Sequence, residues 1–126
     1  MKIVIFILTI LSSTTVAATT VNKFFLMYDP QSEVSERDHQ LTQLVAQHYA
    51  NGVAKSAIYM NEFLEVKHKV KFFCAPSRLP IHGTLLIQLV RQWKSEQLSL
   101  FGSEADLSYD FALIAIGELE KVFPCE

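Results

Sequence analysis

The two cysteines of this chain constrain its fold more than any other feature. Among 126 residues, only Cys74 and Cys125 are cysteine. Cys74 follows two phenylalanines and precedes Pro76 by two positions, and Cys125 follows Phe123 and Pro124 near the end. A disulfide between them would close a loop of about 50 residues and stabilise the fold by ~4 kcal/mol on the chain-entropy model. Whether they pair or remain free thiols depends on the redox compartment.

The N-terminus has the pattern of a secretory signal peptide. Lys2 precedes an apolar run over residues 3–11, which small and polar residues follow. The small residues permit cleavage after Ala17 or after Ala18. A membrane anchor is the alternative, but a spanning helix needs about 20 apolar residues. We therefore predict a signal peptide over residues 1–18 and export to the periplasm, with no membrane association after cleavage.

Export makes a single disulfide between Cys74 and Cys125 the expected state, because secreted chains keep paired thiols oxidised. The mature chain is long enough for one domain with a modest core. Without Lys2, ten basic residues stand against thirteen acidic ones. That balance argues against nucleic acid or an anionic membrane surface as a partner.

A long helical pattern follows the signal peptide. Ser35 and Asp38 have capping-box spacing, and a helix is predicted over residues 36–65. The apolar residues assigned to one stripe of this helix are Leu41, Val45, Tyr49, Val53, Ala57, Met60 and Leu64. Small side chains cluster around its middle, at Ala46, Ala50, Gly52, Ala54 and Ser56. They would let another helix approach closely, which makes this helix the predicted spine of the core.

The remaining segments predict two further helices. One runs from near Ile81 to near Ser95, and residues 96–104 are predicted to be a loop. The last helix has apolar residues in register at Leu107, Phe111, Ala115, Leu119 and Val122. Residues 19–35 are either a short helix or an extended arm. We therefore predict an all-α fold, a small single-domain bundle of three to four helices over residues 36–126 with this arm in front.

No residue pattern typical of catalysis or metal binding stands out. The four histidines, His39, His48, His68 and His82, lack the spacing of a metal site, and no phosphate-binding loop is present. Cys74 could act as a nucleophile, but in an oxidising compartment it is more often structural. The sequence predicts a protein-binding module that is not an enzyme and needs no cofactor or metal.

Three short motifs carry a family resemblance. They are Tyr49-Ala50-Asn51-Gly52 within the long helix, Phe73-Cys74-Ala75-Pro76, and the terminal Phe123-Pro124-Cys125. In this order and spacing the chain resembles the Rap/Tai family, periplasmic immunity proteins that neutralise type VI secretion amidase effectors. The chain departs from the family at Ala46, where many members have a cysteine, and at Lys55 and Ser56, where an acidic residue is often found.

The resemblance implies a stoichiometric protein inhibitor of a cognate peptidoglycan amidase. Such an inhibitor needs a protruding segment, for which we select residues 96–104. The predicted effector-binding residues are Trp93, Glu96, Gln97, Phe101 and Glu104. Phe101 and Trp93 could instead fold back onto the core, and the basic run Lys67 to Lys71 is a second candidate surface.

Members of the family commonly act as homodimers. The small-residue face of the long helix could serve that contact, or it could be buried within the monomer. The main alternative function is a small periplasmic chaperone or stress protein held by one disulfide.

Overall fold

The computed structural model describes residues 18–126 and shows an all-α domain, as predicted. The predicted signal-peptide run lies outside the described residues, of which exposed Ala18 is the first. The elements are α1 (Val21–Tyr28), α2 (Glu36–His68), α3 (Gly83–Phe101), a 3₁₀ turn (Gly102–Glu104) and α4 (Phe111–Val122). Within the described part of the chain, no helix combines the length and apolar character needed to cross a bilayer.

Local side chains set where the helices begin and end. Ser35 caps α2 by accepting a hydrogen bond from the Asp38 N–H at 3.2 Å, and its hydroxyl donates to the Asp38 carboxylate at 2.7 Å. The far end of α2 stops at Lys69, which takes the left-handed conformation with φ 58°. The arm over residues 19–35, for which the sequence allowed two conformations, contains the short helix α1. Thr20 caps this helix by accepting a hydrogen bond from the Lys23 N–H.

The predicted stripe on α2 is wrong as a description of the buried face. The buried residues of α2 are Ala46, Ala50, Val53, Ala54 and Ala57, whereas Leu41, Val45 and Met60 are exposed. Successive steps of four residues each turn about 40° around a helix. The row beginning at Leu41 therefore winds from the solvent face to the core face by Ala57. Of the small residues, Ala46, Ala50 and Ala54 lie on the core face, where α1 and α3 contact α2, whereas Gly52 and Ser56 are exposed.

An aromatic cluster joins α1, α2 and α4 at the centre of the domain. The ring of Phe24 stacks on Phe111 with 4.0 Å between centroids, and Tyr49 packs edge-on against Phe111 at 5.8 Å. Backbone hydrogen bonds fix the same junction, from the Val21 N–H to the Tyr109 carbonyl at 2.9 Å and from the Phe111 N–H to the Thr19 carbonyl at 2.8 Å. The N-terminal arm is thus an integral part of the core.

The start of α3 approaches α2 more closely than a side chain would permit. A Cβ built on Gly83 would lie 2.7 Å from the Asn51 backbone nitrogen and 3.0 Å from the Ala50 carbonyl carbon. The Asn51 side chain also accepts a hydrogen bond from the Gly83 N–H at 3.0 Å. Glycine is therefore required at this crossing of α3 over α2.

The disulfide between Cys74 and Cys125 is present, with 5.0 Å between the Cα atoms. It fastens the end of the chain to the extended segment after α2, and the Cys74 N–H also donates to the Phe123 carbonyl at 2.8 Å. Asn61 of α2 holds the same segment by three hydrogen bonds to the backbone of Phe72 and Phe73. The segment is thus fixed to two helices at once.

The ends of the last two helices differ from the prediction. α3 continues to Phe101, so residues 96–101 are helical instead of a loop. Ser99 is tolerated inside the helix, and Gly102, with φ 57°, provides the positive-φ residue that ends it. α4 begins at Phe111 because the Asp110 carboxylate caps it, accepting from the backbone N–H groups of Ala112 and Leu113.

Candidate protein-binding surfaces

The C-terminal end of α3 carries apolar side chains beyond the core. Leu100 and Phe101 are 73% and 57% exposed, and Leu98 is 43% exposed. These residues form the last turn of α3. The earlier turns of the same helix pack into the core with side chains such as Leu86 and Val90. Residues 96–101 of the predicted protruding segment therefore form a helix end instead of a loop, and Gly102–Glu104 form a 3₁₀ turn. We call Leu98, Leu100 and Phe101 the α3 tip.

The five predicted effector-binding residues divide into two groups. Trp93 is half-buried and packs edge-on against Tyr109, 6.1 Å between centroids. Glu96 lies 3.5 Å from the Lys121 ammonium of α4, and Gln97 is also half-buried. These three residues lie between the tip and the core. The exposed members of the set are Phe101 and Glu104.

An apolar groove of about 470 Å³ runs between α2, α4 and the segment after α2. Met60, Phe72 and Ile116 are among the side chains that line it. The sequence did not single out this groove, because it joins residues from three separate parts of the chain. Exposed aromatic and aliphatic side chains around a concave surface are typical of protein-binding sites.

The family-motif residues lie around this groove and the disulfide. Tyr49, Gly52 and buried Phe73 all line the groove. Burial raises the pKa of the Tyr49 hydroxyl, the nearby Asp110 carboxylate adds to the rise, and a hydrogen bond with Thr19 opposes it. Tyr49 therefore stays protonated and neutral at physiological pH.

The other motif residues lie next to the disulfide. Pro76 and Pro124 are exposed beside Cys74 and Cys125, whose bond is itself at the surface. Two of the three motifs thus meet at the disulfide, and residues of the third line the groove beside the segment after α2.

The remaining predicted surface features are polar and solvated. In the basic run, Lys71 pairs with Glu65 of α2 at 3.0 Å, and Lys67 and Lys69 are exposed. Within residues 18–126, no three His, Cys, Asp or Glu side chains are grouped in a way that could hold a metal ion.

Comparisons with known proteins give no match for the chain, whether with family models, curated proteins or solved structures. The Rap/Tai resemblance accordingly remains a prediction that rests on the three motifs, their order and their spacing.

Proposed function

We propose that this chain is a periplasmic immunity protein that binds and inhibits a peptidoglycan amidase delivered by type VI secretion. The observation that carries the proposal is the α3 tip, where Leu100 and Phe101 project from a helix anchored in the core. The motif resemblance and the disulfide-held scaffold support it. The role is stoichiometric binding, without catalysis or a cofactor.

The tip is suited to filling the substrate groove of an enzyme. Aromatic side chains that enter a pocket supply most of the binding energy at many interfaces. Because Phe101 belongs to a helix held by buried Leu86 and Val90, little ordering entropy is lost on binding. Exposed Glu104, just beyond the tip, can speed encounter with a basic rim on the enzyme.

The binding test is a calorimetric titration of the purified protein against peptidoglycan amidases, beginning with any amidase encoded beside its gene. We expect a one-to-one complex with one of them and loss of its hydrolytic activity. Phe101→Ala should weaken the complex about 30-fold, the effect of a hot spot of about 2 kcal/mol. Leu113→Ala, which removes a 63% exposed apolar side chain from α4, is the matched control and should leave affinity unchanged.

The second candidate function is a small periplasmic chaperone. The observation that favours it is the amount of apolar surface on the outer side of α2, where Leu41, Val45 and Phe63 are each more than half exposed. A chaperone would suppress aggregation of unrelated proteins at low pH and would bind none of the amidases. That pair of results would refute the immunity proposal.

A further inference from the structure

The apolar groove between α2, α4 and the segment after α2 is a narrow slot. Its volume is about 470 Å³, and along α2 it runs from Tyr49 to Met60, a length of about 16 Å at 1.5 Å per residue. The volume divided by this length gives a mean cross-section of about 30 Å². A helix with its side chains is about 10–12 Å wide, so its cross-section is about 80–110 Å². The groove therefore has room for one extended chain and not for a helix. We call it the α2–α4 groove.

A glycine on the α2 wall keeps this groove open. Gly52 lines the groove, and a Cβ added to it would meet no atom within 4 Å. Inside a helix, glycine is less favourable than every residue except proline. Gly83 is required by its contact with α2, whereas among the described residues no such contact requires Gly52. Because Ser56 and Ala57, about one turn further on, are also small, this wall of α2 leaves space for an occupant.

The lining of the groove favours a hydrocarbon chain over an extended peptide. Of the residues that line it, only Tyr49 and Ser56 carry polar side-chain atoms, and the Tyr49 hydroxyl already hydrogen-bonds with Thr19. An extended peptide would bring one N–H and one carbonyl per residue into this surface. Burying such groups without hydrogen-bond partners is costly. An acyl chain has no polar groups along its length, so it gains from burial without that cost.

The two ends of the groove differ in charge. Lys67 follows Tyr49 by 18 positions, which is five full helical turns, so both residues lie on the same face of α2. Lys67 lies about 10 Å beyond Met60 along the helix axis. It is exposed, and no ion pair among residues 18–126 includes it. At the other end, the Asp110 carboxylate lies near Tyr49. An anionic group on the occupant is therefore favoured at the Lys67 end and disfavoured at the Tyr49 end.

We propose that this chain binds one long-chain fatty acid in the α2–α4 groove, with the carboxylate beside Lys67 and the methyl end towards Tyr49. The axial distance between these two residues is about 27 Å. The extended lysine side chain covers about 6 Å of it. An extended acyl chain advances about 1.25 Å per carbon, so about 16 carbons span the remainder. The site contains no residue of the α3 tip.

The first test is a calorimetric titration of the purified protein, without any amidase, with palmitate below its micelle concentration. We expect one palmitate per chain, and affinity should fall about 4-fold for each methylene removed from the acyl chain. Gly52→Leu fills the groove and should weaken palmitate binding about 50-fold, because its side chain displaces about three methylenes. Its unfolding temperature should be unchanged or raised, since the added side chain enters open space. Gly117→Leu, at an equally open glycine outside the groove lining, is the matched control and should bind palmitate as the wild type does.

The second test concerns the charged end of the ligand. Hexadecyltrimethylammonium has a chain of the same length with a cationic head, and the wild type should bind it more weakly than palmitate. Lys67→Gln should weaken palmitate binding about 5-fold, the effect of one exposed charge pair, without weakening the binding of hexadecyltrimethylammonium. Lys55→Gln is the matched control, because Lys55 is an exposed lysine of α2 that does not line the groove. It should leave both affinities unchanged.

Three outcomes overturn the inference. The first is the absence of saturable palmitate binding, and the second is wild-type affinity for palmitate in Gly52→Leu. The third is a groove covered by a protein, in which case Gly52→Leu would lose an amidase complex or a dimer while the wild type binds no palmitate. Because the palmitate titrations contain no amidase, their failure alone would leave the immunity proposal standing. Failure of amidase binding would likewise leave the fatty-acid site standing.

Discussion

The hydrogen bonds of Asn61 should contribute substantially to stability, because this side chain holds the segment that carries Cys74. Its amide donates to the Phe73 carbonyl at 2.9 Å and accepts from the N–H groups of Phe72 at 2.7 Å and Phe73 at 3.3 Å. Asn61→Ala removes all three bonds and leaves the partly buried N–H and carbonyl of Phe73 without this partner. At about 1 kcal/mol for each bond, the expected loss in the free energy of unfolding is about 2–3 kcal/mol.

The measurement is urea denaturation followed by far-UV circular dichroism, with the disulfide intact in every sample. For a domain of roughly 100 residues the same change should lower the unfolding temperature by about 10–20 °C. Gln40→Ala is the matched control, because its amide donates to Glu36 on the exposed side of α2, and it should change stability by less than about 0.5 kcal/mol. A loss below about 1 kcal/mol for Asn61→Ala would show that the segment is held without these bonds.

Two further changes test the scaffold. Replacing Cys74 and Cys125 together by serine should cost about 4 kcal/mol in urea unfolding, since the disulfide closes a loop of 51 residues; two free thiols in the untreated wild-type protein would contradict this. Gly83→Ala should cost about 1–3 kcal/mol by overpacking against α2, whereas Gly117→Ala, with open space around it, should raise stability by up to about 1 kcal/mol. If Gly83→Ala and Gly117→Ala changed the free energy of unfolding equally, α3 would be able to move away from α2 at little energetic cost.

Much of the fold followed from local sequence signals. The capping pair Ser35 and Asp38 predicted where α2 begins, and the helical pattern that starts near Ile81 predicted α3. The pairing of Cys74 with Cys125 followed from the signal-peptide pattern and the cysteine count. The helix signals depend only on neighbouring residues, and each cysteine has only one other cysteine to pair with. The sequence was therefore sufficient to predict these features.

The error about the buried face of α2 arose because helical spacing there admits two descriptions. Residues 41–64 contain a large apolar row with spacings of three and four, and also Ala46, Ala50 and Ala54, which recur every four residues. The large row is the natural choice for a core, because it would bury more apolar area. The helix instead buries Ala46, Ala50 and Ala54, since α1 and α3 contact it along that side.

The candidate surfaces were only partly accessible to sequence reasoning. Phe101 was selected as an anchor, and it is exposed on the α3 tip. Trp93, selected beside it, is half-buried against Tyr109. The groove that joins Met60, Phe72 and Ile116 was missed, because nothing in the local pattern brings these residues together.

The sequence by itself determined the start of α2 at its Ser35 cap, the approximate positions of the last two helices and the disulfide, because hydrogen bonding within a helix and the choice of cysteine partner are nearly local problems. Only the tertiary structure decided which side of α2 faces inward, because that depends on which helices approach and how closely. Gly83 meets α2 where a side chain would not fit, whereas Gly52 faces open space. Two glycines that look alike in the sequence therefore lie in different surroundings, one at the crossing of two helices and one facing open space.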